Sequence, residues 1–210
     1  MERSLHASLE AMVNRAAALL PDGVRRPGLA GELLAFLQDR VAYFLRERGI
    51  PYDVVEAVLA AGADDPVDAL ARAEALQAVR GGQDLERLVI GFKRAANILK
   101  GMDEAALPDP AAVPWAQAHP TERELHAAVR RVGRELEAAE RGKDYPAMLK
   151  LLLELRAPID RFFDEVLVMS EDPQERDRRL ALLAEARSVF HHVFDPSCIV
   201  LEGEAAAPDG

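Results

Sequence analysis

Lys93, Asn97 and Lys100 are spaced i, i+4, i+7, which lines side chains along one side of an α-helix. Two cations and an amide in a row suit a polyanion. Lysine neutralises a phosphate, and an asparagine amide both donates to and accepts from a base edge or a backbone group. Arg87 and Arg94 place two more cations seven residues apart, on the opposite face of that helix. From Arg87 to Met102 there is no Asp or Glu, although the chain carries 36 acidic residues against 26 basic ones and a net charge of −10. Basic residues near a helix C-terminus also favour the helix macrodipole, and Lys100 fits either use.

A second group lies in LRAPIDRFFDEVLVM, residues 155–169. Arg156 and Arg161 are further cations. Phe162 and Phe163 point about 100° apart on a helix. Aromatics stack on unpaired bases, but core packing is the default for at least one of the two. Asp160 and Asp164 share a helix face, yet no His or Cys stands at ligand spacing, so pairing with Arg156 and Arg161 is the expectation. His191 and His192 are neighbours and cannot chelate as an i, i+4 pair can. There is no HExxH, CxxC or phosphate loop, and no catalytic constellation. The single cysteine, Cys198, rules out an intrachain disulfide.

These groups need elements to hold them. Ala and Leu dominate, aromatics are 5% of the chain, and the apolar positions recur at helical spacing, so the fold class is all-α. Residues 3–20, with Leu5 and Leu9 among the apolar positions, predict a first helix, and PDGVRRPG breaks it. Leu33, Leu34, Leu37, Val41, Phe44 and Leu45 predict one buried side of a helix over 30–48. A short helix follows Pro51, and Asp65-Pro66 opens another, running to about Arg80. Gly81-Gly82 reads as a hinge. On the helix over 84–100, Leu85, Leu88, Val89, Phe92, Ala96 and Leu99 form the core stripe. Ile90 and Ile98 fall off that stripe, which predicts a central helix wedged among several others. Residues 102–120 hold four of the thirteen prolines and read as a loop pinned by Trp115. Thr121 and Glu124 have capping-box spacing. Helices follow from Thr121, from Tyr145 with a bend at Pro158, and from Asp172-Pro173 to about His192. The domain reading is a helical region over 1–81, a bundle of long amphipathic helices over 82–200, and a disordered tail over 201–210.

KRAANIL at 93–99, LRAPIDRFFDEVLVM at 155–169, DRRLALLAEARSVF at 177–190 and ELLAFLQDRVAYFLRERGIPYDVVEAVLA at 32–60 together resemble the C-terminal part of the beta subunit of bacterial glycyl-tRNA synthetase. The resemblance covers most of residues 28–198. It implies a DALR-like helical anticodon-binding domain after a smaller helical region. It implies glycine tRNA as a partner, together with a catalytic alpha subunit in a tetramer of two alpha and two beta chains. ATP and magnesium are then expected at that alpha subunit, with no cofactor in this chain. The positions it marks for tRNA are Lys93, Arg94, Asn97, Arg156, Arg161, Phe163 and Arg179, and the basic stripe adds Lys100. The N-terminus lacks an apolar signal core and no apolar run reaches membrane length, so the expectation is a cytoplasmic protein without a membrane partner. The alternative reading is an acidic helical module that docks on a partner subunit without binding RNA by itself.

Overall fold

Asp65 and Asp172 each place a carboxylate on the backbone N–H groups that open a helix. Asp65 accepts from Val67 N at 2.9 Å and Asp68 N at 3.3 Å, and Asp172 accepts from Gln174 N at 2.8 Å. Both precede a proline that occupies the first helical position, where no N–H is missed. The computed structural model describes residues 6–21, 24 and 26–201. Leu5, Asp22, Gly23 and Arg25 of the sequence reading lie outside the described residues, as does the expected tail beyond Leu201.

The described residues form nine α-helices and no strand: α1 (Leu9–Ala18), α2 (Leu29–Glu47), α3 (Tyr52–Ala60), α4 (Pro66–Val79), α5 (Gln83–Leu99), α6 (Pro120–Gly142), α7 (Tyr145–Leu153), α8 (Arg156–Glu165) and α9 (Pro173–Ser188). Short 3₁₀ turns break up the segment between α5 and α6, and two more follow α9. No described helix is long and apolar enough to cross a membrane.

Helix α5 packs against α8 and α9, and α6 packs against α7, α8 and α9. The buried stripe of α5 is Leu85, Leu88, Val89, Phe92, Ala95 and Leu99, with Ala95 inside and Ala96 only half-buried. Phe92 meets Phe190 edge to face at 5.2 Å. Gly91 is the close-approach point. A Cβ built there would lie 2.7 Å from Ile159 Cγ2 on α8, so only glycine fits this crossing. One continuous set of buried apolar residues runs from Val41 to Ile199, across Gly81-Gly82. Helix α4 packs on α7, and α3 packs on the turn at Pro196–Cys198.

The chain departs from its expected pattern in five places. The capping box at Thr121 does not form, because Pro120 starts α6 one residue earlier and His119 becomes the cap, with Nδ1 accepting from Thr121 N at 3.4 Å. The Thr121 hydroxyl donates to Glu165 at 2.8 Å instead, and Glu124 pairs with Arg161. The bend at Pro158 is a full break at Glu154–Leu155. Proline has no N–H for the carbonyl four residues back, so the ladder fails there. Arg156 pairs with Asp84 at 3.3 Å rather than with Asp160. Leu33 and Phe44 remain 40% and 38% exposed, whereas Val41, Ala42 and Leu45 are buried. Helix α2 packs on α1 and α3, and Arg40 lies over the rings of Phe36 and Tyr43, both of which stay exposed. Ile90, expected inside, is 55% exposed.

One buried charge needs its partners. Glu122 on α6 is fully buried and accepts from Arg178 Nε and Arg179 Nε, each at 2.7 Å. Burial alone raises a carboxyl pKa, but the hydrogen bonds and charge of the two arginines outweigh it and hold Glu122 below its usual range. Residues 102–119 are tied down in a different way. Trp115 stacks on His126 of α6 at 4.1 Å, its Nε1 donates to Pro110 O at 2.9 Å, and Glu104 accepts from Arg187 at 2.6 Å.

Gly91→Ala forces α5 and α8 apart and is expected to destabilise the fold by about 1–3 kcal/mol, read as a lower urea midpoint with an unchanged m-value. Glu122 is ionised in the fold at a lower pH than in the unfolded chain, so its contribution is present above about pH 4.3 and is lost as pH falls through the lowered folded value. Glu122→Gln is therefore expected to be less stable than the parent at pH 7, with the gap narrowing on acidification below about pH 4. Urea titrations at several pH values check this.

Candidate nucleic-acid interface

Once the core stripe of α5 is turned inward, Ile90, Lys93, Arg94, Asn97 and Ile98 must share the outer face, because they recur at i, i+3, i+4, i+7 and i+8. In the structure these five residues and Leu201 line one open groove of about 680 Å³. No acidic side chain lines it. Lys93 is half-buried, Arg94 and Asn97 are exposed, and Lys100 follows as the C-terminal cap of α5. Arg94 is positioned by a neighbour, since its guanidinium lies over the ring of Phe163 at 4.4 Å. A cation held on an aromatic face loses less freedom when it meets a ligand.

The far wall of the groove depends on the N-terminal helices. Asp53 on α3 is fully buried. It accepts from Arg80 Nε and from Val200 N, both at 3.1 Å, and Asp195 N donates to Ala57 O at 2.8 Å. These bonds lay the segment ending at Leu201 alongside α5. Cys198 sits in the same segment, half-buried. Burial and then Asp195 push its thiol pKa up, while Lys93 acts in the opposite direction.

The other marked residues are placed differently. Phe163 is only 8% exposed and lies beneath Arg94, against Phe162, which is fully buried. It supports the site from below. Arg156 and Arg161 are each engaged by a carboxylate, from Asp84 and Glu124. Arg179 is buried, bonded to Glu122, to Leu167 O at 3.0 Å and to Glu175 at 3.0 Å. The structure thus brings Lys93, Arg94 and Asn97 to one groove, with Phe163 behind Arg94, and sets Arg156, Arg161 and Arg179 into ion pairs. The groove's apolar members, Ile90, Ile98 and Leu201, were not marked as site residues by the sequence reading, which took the two isoleucines as packing contacts. The signal for two of them was there, as isoleucines off the core stripe on a helix rich in cations.

A second open depression of about 690 Å³ is lined by Asp64, Asp65, Asp68 and Glu140 with His6, His191 and His192. Its carboxylates repel a polyanion, so it does not compete with α5 as a nucleic-acid surface. Among the described residues no group of three His, Cys, Asp or Glu side chains is placed to hold a metal ion.

The DALR anticodon binding domain family matches residues 88–195, which takes in most of α5 and all of α6–α9. Three proteins named glycine--tRNA ligase beta subunit are similar to the chain. That of Acidobacterium capsulatum is 42% identical over 179 residues, covering 80% of this chain and 25% of the relative. That of Anaeromyxobacter dehalogenans strain 2CP-C is 40% identical over 213 residues, covering 99% of this chain and 30% of the relative. That of Phenylobacterium zucineum is 41% identical over 169 residues, covering 80% and 25%. The chain thus spans 25–30% of the length of these curated relatives.

The burial pattern separates the marked arginines and lysines by role. Arg179→Ala leaves Glu122 buried with one partner fewer and is expected to cost about 3 kcal/mol of stability, the scale of breaking a buried ion pair. Arg94→Ala, at an exposed position, is expected to cost no more than about 1 kcal/mol, the scale of one exposed cation–π contact. Urea unfolding of the two variants tests the distinction.

Proposed function

Since the chain belongs to the DALR anticodon binding domain family, over a stretch shared with glycine--tRNA ligase beta subunits, we propose that its α5 groove receives the anticodon arm of glycine tRNA. The observation that carries this reading is the grouping of Lys93, Arg94 and Asn97 around one acid-free groove inside the matched domain. The chemistry suits RNA. Lysine and arginine neutralise backbone phosphates and fix position, and the amide meets a base edge and carries sequence information. The acidic remainder of the surface, in a chain of net charge −10, disfavours RNA elsewhere and confines contact to this face. In this reading the chain recognises and does not catalyse. Attachment of glycine, with ATP and magnesium, belongs to a separate alpha subunit, and two alpha and two beta chains assemble around it.

The test is a titration of the purified chain against glycine tRNA and against the same tRNA with its anticodon replaced, at two salt concentrations. Selective binding that weakens steeply with salt is expected. The double charge reversal Lys93→Glu with Arg94→Glu should weaken binding by about tenfold or more at low salt, with circular dichroism unchanged. If the double variant binds as tightly as the parent, the α5 groove is the wrong surface.

A further inference from the structure

The groove has two chemically different halves, and the cations account for only one of them. Lys93 and Arg94 form the polar half with Asn97. Ile90, Ile98 and Leu201 form the other. Ile90 is 55% exposed, on a helix whose other large apolar residues go to the core or to half-burial. It stands one helical turn before Lys93 and Arg94 and two turns before Asn97, on the same face. A groove that met only phosphates would gain nothing from an aliphatic wall, because phosphate binding uses charge and hydrogen bonds.

We propose that Ile90, Ile98 and Leu201 take the face of one unpaired RNA base, with its edge turned to Asn97 and the flanking phosphates to Lys93 and Arg94. The inference rests on the RNA reading above and adds the residues that would hold the base: an aliphatic wall of Ile90, Ile98 and Leu201, with Ile90 as a specificity-determining contact distinct from the phosphate-binding cations. A base is apolar on its faces and polar on its edge, and the groove is divided in the same way. Active-site and loop-binding pockets hold extruded bases between apolar or aromatic side chains while polar groups read the edge. Arg94 is steadied for this arrangement by Phe163 beneath it. Leu201 is held in place by the bond from Val200 N to the buried carboxylate of Asp53.

The experiment uses the full chain and a short RNA hairpin with the glycine tRNA anticodon loop. It compares the parent, Ile90→Ala and Lys93→Gln across a salt series, and repeats the titrations on hairpins with single abasic positions in the loop. Ile90→Ala is expected to weaken binding about fivefold, the scale of the apolar area a part-exposed isoleucine would remove from water, without changing the slope of log K against log salt. Lys93→Gln is expected to reduce that slope by about one phosphate's worth, close to 0.7 for a single strand. At one abasic position the parent should lose the same factor, and Ile90→Ala should lose nothing further. Binding of Ile90→Ala equal to that of the parent overturns the inference. So does a loss that persists on every abasic hairpin, which would mark a general disturbance of the surface. No binding by the parent chain to any hairpin or to the tRNA overturns the RNA reading itself, and this inference with it.

Discussion

Everything on the outer face of α5 is set by what its inner face must do. Leu88, Val89, Phe92 and Leu99 are buried almost completely, and the crossing with α8 is so close that Gly91 has no room for a Cβ. Such a crossing leaves the helix little freedom to roll, since rotation would drive Ile159 into its backbone. With the roll fixed, the residues at i, i+3, i+4, i+7 and i+8 from Ile90 are committed to solvent together. The groove is thus a by-product of core packing, and its geometry is as rigid as the interior behind it. The same logic gives Phe163 its place. It comes from α8, the helix that meets α5 at Gly91, and so it lies where Arg94 can rest on its ring.

The N-terminal helices contribute more than a lead-in. Asp53, buried on α3, joins Arg80 at the end of α4 to the backbone at Val200. A carboxylate taken out of water is costly unless its partners are supplied, so this one couples the placement of α3, the close of α4 and the returning chain that walls the groove. The buried apolar residues run across Gly81-Gly82 without interruption. The two glycines turn the chain between α4 and α5, and the core on either side is shared.

Helix positions were largely legible because their signals are local. Asp65-Pro66 and Asp172-Pro173 state where a helix starts, and Gly49 and Gly101, at φ 80° and 78°, state where one ends. The box at Thr121 misled because a proline one residue upstream changed which side chain reached the free N–H groups. The candidate site was half legible. Helical spacing put Lys93 and Asn97 on one stripe beside the core but set Arg94 with Arg87 on the opposite face; only the family resemblance joined Arg94 to them, and the structure gathers the three in one groove. Spacing could not show how many neighbours a face has, so Ile90 was expected inside. Nor could it show that Arg179 meets Glu122, 57 residues away in the chain. An arginine that braces the core and one that waits at the surface are the same letter, and only a distant partner tells them apart.

The stack of Trp115 on His126 has a use beyond holding the proline-rich segment to α6. Trp115 is the chain's single tryptophan, so all indole emission reports from this one contact. Burial, and then Arg130, lower the pKa of the imidazole beneath it and so favour its neutral form. The protein therefore carries a built-in optical gauge of whether the strap between α5 and α6 is seated, and it needs no attached dye.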